Sequence, residues 1–272
     1  MTLKVFKVKN KKFTNIHRNF YLKHGYLIIR GMFEKREMNT LDKSISFFAD
    51  REWHNIMNPD RIEFLISQSY EKFVKIKDQN KRIAFIEQAK KTSLLFRSYL
   101  LDKRINLLMK KVVGKQMSGL MTHVIFKHKS SKFSKMSWVP HQDNSYPRME
   151  KNCYVTANLF IQKAFKKNGG LYLYPGSHKL GLLKFEKFFS YHAKGNQRPG
   201  NRIVKNLREE NKIDLDVKPG DFLIMNGNLI HGSYPNVSAN LSRHLLSFNY
   251  GVKGKKFIPG KTAQRKAIEF PK

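Results

Sequence analysis

The chain is poor in cysteine, in acidic side chains and in long apolar runs, and each shortage excludes something. Cys153 is the only cysteine among 272 residues. It rules out an internal disulfide and any cysteine cluster for zinc or iron and sulfur, and it fits a reducing compartment. No stretch of about twenty apolar residues occurs, so no transmembrane helix is expected. Residues 1–15 are basic but lack an apolar stretch of signal-peptide length. A soluble, cytoplasmic protein is the expectation. Only 20 Asp and Glu oppose 53 Lys and Arg, which leaves a formal net charge of +33. Hydrophobic residues at 40% and aromatics at 12% nevertheless indicate a packed core rather than a disordered polycation.

That charge has three readings. A basic footprint gathered on one face would point to nucleic acid, through counterion release from phosphates. Here the cations are scattered from Lys9, Lys11 and Lys12 through Lys110, Lys111, Lys166 and Lys167 to Lys255 and Lys256. A generally basic proteome, or a summed field that attracts small anions, accounts for them about equally well. No recognition helix, zinc finger or RNA-binding motif is visible.

One domain over residues 1–272 is expected, with a mostly helical part at 1–118, a β core at 119–252 and a basic tail at 253–272. Asn39-Thr40-Leu41-Asp42 resembles a helix start leading to Ile45, Phe47 and Phe48, and Asn58-Pro59-Asp60 precedes a second apolar series through Ile62, Phe64 and Leu65. Over 81–113, Ile83, Phe85, Ile86, Leu94, Leu95, Leu100, Leu101, Ile105 and Leu108 recur near helical spacing, as in helices packed on a sheet. From Leu120 the runs shorten: Tyr154 to Phe160, Gly170 to Tyr174 and Phe222 to Met225, set off by Gly, Pro and Asn. The fold class expected is α+β with a mainly β core, a double-stranded β-helix or cupin-like jelly roll, with N-terminal helices packed on one sheet. Residues 184–212, with Gly195, Asn196, Pro199, Gly200 and Asn201, read as an irregular loop, either a lid or a solvated connection.

Against that background His141-Gln142-Asp143 stands out. In an extended strand residues i and i+2 leave on one face, so His141 and Asp143 reach a common point while Gln142 points away. A second imidazole from a distant strand completes a two-histidine, one-carboxylate facial triad, the ligand set of non-haem Fe(II). His231 is the candidate, delivered after Pro219-Gly220-Asp221, the Phe222 to Met225 run and the Asn226-Gly227 step. Arg243 opens the next strand-like run. Adjacent antiparallel strands would set it beside His231, and its planar fork suits a carboxylate such as the far end of 2-oxoglutarate. His123, His128, His178 and His244 read as structural, and Trp138 as wall packing.

Residues 120–252 resemble the phytanoyl-CoA dioxygenase family of Fe(II)/2-oxoglutarate oxygenases. Besides the residues above, the match rests on Asn168-Gly169-Gly170-Leu171, on Pro175-Gly176-Ser177-His178, and on His231-Gly232-Ser233 followed by Pro235-Asn236. The resemblance implies that His141, Asp143 and His231 bind iron, that Arg243 anchors 2-oxoglutarate with help from Ser233, and that Lys127 falls where members often have a co-substrate lysine. Arg243 lies twelve residues after His231, one more than is usual in the family. An extra residue in the 237–242 loop accounts for the difference, since loops absorb insertions. Asp143 fills the position that related halogenases leave to a small residue, so hydroxylation is implied. Asn249 stands where the nucleobase-repair type carries a second Arg. Asn144, Tyr146 and Arg148 follow the triad strand and are candidate substrate contacts.

The expected function is therefore an Fe(II)/2-oxoglutarate-dependent dioxygenase that consumes O2, hydroxylates a small anionic metabolite and releases succinate and CO2. The alternative is a basic non-catalytic binding protein, for nucleic acid among other partners, on a jelly-roll scaffold.

Overall fold

Apolar runs too short to make helices become the strands of two facing sheets. The computed structural model describes residues 2–8, 12–47, 64–67, 79–129, 132–135, 137–191, 197–258 and 266–271. Its N-terminal elements are β1 (Phe6–Lys7), α1 (Asn15–His24), β2 (Tyr26–Arg30), α2 (Lys35–Ser46), β3 (Phe64–Ser67), α3 (Gln79–Leu100) and α4 (Lys103–Leu108). Then come β4 (Met117–Lys127), β5 (Trp138–His141), β6 (Tyr154–Phe160), β7 (Leu171–Leu173), β8 (Glu186–Tyr191) and β9 (Gln197–Ile203). The last are β10 (Ile213–Asp214), β11 (Phe222–Asn226), β12 (His231–Ser233), β13 (Arg243–Val252) and β14 (Ile268–Glu269).

The large sheet runs β1-β2-β11-β6-β13-β4-β14, with β3 also on β4, and the small sheet runs β10-β7-β12-β5. Pairing is antiparallel except β1 with β2 and β3 with β4. The central strands of the large sheet are buried on both faces, which is why Phe222-Leu223-Ile224-Met225 reads as a continuous apolar run. Leu223 and Met225 pack with Leu171, Leu173 and Leu245 between the sheets. Phe222 and Ile224 turn the other way, onto Leu41, Phe96, Ile105 and Leu108 beneath the helices. The result is a jelly roll with helices on the outer face of its large sheet.

Several local expectations are corrected. The first predicted helix start lies inside α2, which begins at Lys35 behind a Glu34 cap whose backbone N–H donates to Glu37 Oε2 at 2.7 Å. Met38, Leu41 and Ile45 give α2 its buried face, and that periodicity carries the helix back past Asn39. Asn58-Pro59-Asp60, Ile62 and Phe48 lie outside the described residues; Phe64 and Leu65 are in strand β3, because a short apolar run has an open strand edge on β4 to join. The long helical pattern breaks at Asp102, whose side chain caps α4 through the Arg104 N–H at 2.7 Å. Leu100, Ile105 and Leu108 are buried, but Ile83 and Leu94 are 48% and 70% exposed and do not join the core.

The strands also reach beyond residues 119–252: β2 lies between β1 and β11, and β14 adds to β4. Within 184–212 the expected irregular loop is a two-stranded antiparallel ribbon of β8 and β9. Backbone pairing inside a hairpin asks little of side-chain polarity, so the polar composition concealed it. The Val204 N–H donates to Pro140 O at 2.9 Å and holds the ribbon's return beside β5.

Candidate metal centre

β5 and β12 are antiparallel neighbours with His141 directly opposite His231. His231 is also opposite Leu173, which faces the inter-sheet core, so both imidazoles point into the sandwich. Gln142 is extended (φ −116°, ψ 124°) and preserves the alternation before the chain enters a 3-10 turn at Asp143–Ser145. The i, i+2 argument therefore holds although Asp143 lies past the end of the strand. His141 Nε2 is 3.4 Å from Asp143 Oδ1 and His231 Nε2 is 3.5 Å from Oδ2. One ligand atom from each residue fits within 4.8 Å of the others, and among the described residues no second His, Cys, Asp or Glu group does this.

Neighbouring groups prepare these ligands. His141 Nδ1–H donates to Val139 O at 2.7 Å and His231 Nδ1–H to Leu229 O at 3.1 Å. Carbonyls only accept, so the protons sit on Nδ1 and the Nε2 lone pairs face Asp143. Burial pushes the Asp143 carboxyl up, but His231, His141 and the Thr156 hydroxyl outweigh it and hold it well below the usual carboxylate range. Thr156 Oγ1 donates to Asp143 Oδ2 at 2.6 Å. Burial pushes the His231 imidazole down, against the pull of Asp143, which keeps it neutral and able to coordinate. Gln142 turns away as expected: its amide donates to Gly181 O and Asn228 O and accepts from the Leu183 N–H.

Arg243 lies elsewhere than expected. β12 and β13 belong to opposite sheets, so Arg243 faces the small sheet across the sandwich, with Lys127 as its cross-strand partner. It is 1% exposed, and burial pushes its pKa down to about 9. Its Nε donates to Gly169 O at 3.1 Å, while the buried Nη1 has no hydrogen-bond partner among the described residues. Lys127 Nζ donates to Ser233 Oγ at 2.8 Å and to Tyr234 O. The structure thus brings Arg243, Lys127 and Ser233 together. Gly169 has φ +89°, and a Cβ there would lie 2.5 Å from Lys127 Cδ, so this step of the Asn-Gly-Gly run needs glycine. In the 237–242 loop, Ser242 Oγ accepts from the Lys129 N–H and stays out of the cluster. Asn236 closes the loop through bonds to Lys127 O and Leu241 O.

The candidate substrate contacts fare differently. The Asn144 side chain is committed to Met149 O, the Met149 N–H and Asn228 Oδ1, each at 2.9 Å, and braces the turns that carry the triad. Arg148 is exposed on a positive-φ turn, and Tyr146 is half-buried after the 3-10 turn. His178 accepts a structural place, its Nε2 bonded to Leu22 O, and His244 pairs with Asp42 at 2.7 Å. Trp138 packs 6.0 Å from the His141 ring. Sequence reasoning missed Thr156 and Asn158. Polar residues at alternate positions of the apolar strand Tyr154–Phe160 share one face, and that alternation was the available signal.

Residues 21–245 match the family model described as Phytanoyl-CoA dioxygenase (PhyH). The chain belongs to the phytanoyl-CoA dioxygenase family. The chain spans 37% of the length of the first two curated phytanoyl-CoA dioxygenases it matches. Phytanoyl-CoA dioxygenase 1 of Oryza sativa subsp. japonica is 33% identical over 117 residues, which span 41% of this chain and 37% of that protein. A probable phytanoyl-CoA dioxygenase of Caenorhabditis elegans is 26% identical over 223 residues, 80% of this chain and 69% of that one. Among solved structures, the non-heme alpha ketoglutarate dependent carbocyclase SnoK from nogalamycin biosynthesis superposes with a TM-score of 0.64. The superposition covers 98% of this chain and 97% of that one at 13% identity, a likeness of fold.

Proposed function

We propose that the protein is an Fe(II)/2-oxoglutarate-dependent dioxygenase that hydroxylates a small anionic metabolite and releases succinate and CO2. The observation that carries the reading is the Nη1 of the buried Arg243, which has no hydrogen-bond partner among the described residues, on the wall that faces the triad. A buried guanidinium with a free donor is costly unless an anion completes it, and a carboxylate is the matching shape.

His141, Asp143 and His231 would hold the iron through Nε2, a carboxylate oxygen and Nε2. Arg243 would take the far carboxylate of 2-oxoglutarate, with Lys127 and Ser233 beside it. Iron held there would supply oxygen activation, coupling the oxidative decarboxylation of 2-oxoglutarate to oxidation of the substrate. Thr156 keeps one Asp143 oxygen hydrogen-bonded and so orients the carboxylate. Leu223, Leu245 and Phe160 line the inter-sheet space with apolar surface and keep water from it. The anionic substrate is supported by the net charge of +33, whose field concentrates small anions and weakens as salt rises.

The test follows oxygen consumption and succinate formation from 2-oxoglutarate with Fe(II), across a panel of small anionic metabolites. Arg243→Ala should raise the 2-oxoglutarate requirement about thirtyfold, from roughly 2 kcal/mol of lost charge-assisted bonding, and leave Fe(II) binding intact. Ser242→Ala should change neither. No succinate from the wild-type protein with any panel member, together with tight saturable binding of oligonucleotides at about physiological salt, would favour the binding-protein alternative.

A further inference from the structure

The wall opposite the triad carries a polar group that neither the triad nor the Arg243 cluster uses. Thr156, Asn158 and Phe160 alternate along β6 and face the small sheet together. Phe160 lies in the inter-sheet core and Thr156 reaches Asp143. Asn158, between them, is 3% exposed and has Leu223 of β11 and Ser247 of β13 as its cross-strand partners. Its Nδ2 is buried and has no hydrogen-bond partner among the described residues. An unpaired amide destabilises the fold, and an apolar side chain would pack better beside Leu223 and Phe160.

The register says what the amide faces. On β13, Asn249 is opposite Thr156, Ser247 is opposite Asn158, Leu245 is opposite Phe160, and Arg243 lies one step further along the same face. Asn158 is therefore on the path from the Asp143 contact to Arg243, nearer the triad. A ligand held at both ends passes over it.

We infer that Asn158 is a binding residue whose side-chain amide donates a hydrogen bond to the 2-oxo acid end of 2-oxoglutarate. The inference rests on the proposed function. Arg243 would take the far carboxylate, so Asn158 would meet the end nearer His141, Asp143 and His231.

Two measurements on the anaerobic Fe(II)-loaded protein test it: the dissociation constant of 2-oxoglutarate by calorimetry, and the visible absorption band of the Fe(II) and 2-oxoglutarate complex. Asn158→Leu should weaken 2-oxoglutarate about tenfold or more, the loss of one hydrogen bond to a charged group, and shift the band. Its ligand-free unfolding temperature should equal or exceed that of the wild type, because an orphaned donor has gone. Asn158→Ala serves the same purpose if the leucine does not fold. Arg243→Ala should weaken 2-oxoglutarate without moving the band, since it acts at the other end. Asn158 variants that bind 2-oxoglutarate as the wild type does, or that weaken it with the band unmoved, overturn the inference. If the wild type fails to bind 2-oxoglutarate, or Arg243→Ala binds it normally, the proposed function falls and the inference falls with it.

Discussion

The two faces of the large sheet are made from the same strands and could hardly be more different. On the outer face Leu27, Ile29, Ala157, Leu159, Phe222, Ile224, Leu246 and Phe248 meet the helices in one apolar cluster. On the inner face apolar residues alternate with Lys127, Thr156, Asn158, Arg243, Ser247 and Asn249, all buried. The outer face gains most of its stability from burial, and on it His244 Nδ1 is paired with Asp42 and the Tyr250 hydroxyl with Leu100 O. Among the described residues the inner face leaves Arg243 Nη1 and Asn158 Nδ2 unpartnered, an arrangement that costs stability and that the proposed co-substrate would complete. Stability and function are thus divided between faces of one sheet, and the tight outer packing is what tolerates the loose ends inside.

The sharpest way to break that division is at the triad. His231→Ala should abolish stoichiometric Fe(II) binding, about one ion per chain in the wild type, while the fold measured by circular dichroism persists. Retention of one ion per chain by this variant would end the assignment. On the opposite face, Phe248→Ala empties a fully buried site and should cost about 3–5 kcal/mol of unfolding free energy in denaturant titrations. Its affinity for 2-oxoglutarate should stay near that of the wild type at temperatures where it is folded. A comparable loss of affinity and stability would mean the faces are not separable.

The smallest effect is in pH. Asp143 is held below the range of an unfolded carboxylate, so the stability it contributes is present above the unfolded pKa and is lost as pH falls. The His231 imidazole is also lowered, so the unfolded chain takes up its proton first and stability falls again on the acid side of about 6.5. The unfolding temperature of metal-free protein should therefore drop between about pH 7 and pH 5, and added Fe(II) should raise it less at the lower pH. A flat profile over that range would show that these groups are not coupled to folding as the geometry implies.

How much could be read beforehand depended on whether a residue's surroundings were local in sequence. His141 and Asp143 were legible because strand alternation fixes their relation within three residues, and β6, β11 and β13 because their apolar runs end at turn residues. β2 was missed because Tyr26-Leu27-Ile28-Ile29 sits between two helices and pairs with β11, a strand almost two hundred residues away. The β8 and β9 ribbon was missed because the Gly, Pro and Asn residues of 195–201 read as punctuation of a loop, while backbone pairing is what makes the strands. Arg243 was singled out by type and spacing, but its placement across the sandwich instead of on a neighbouring strand depends on which strands share a sheet. Asn144 looked available and is wholly engaged, a fact that only three-dimensional bookkeeping of its partners reveals.

The 237–242 loop has a consequence for how such chains diverge. Arg243 takes its position from Lys127 across the ladder and from Gly169 O, while Asn236 and Ser238 fasten the loop to itself at its near end. Length can therefore drift between those anchors without moving the guanidinium. The register, which sets Arg243 opposite the buried Lys127, is therefore a firmer guide to this guanidinium than its distance in sequence from His231.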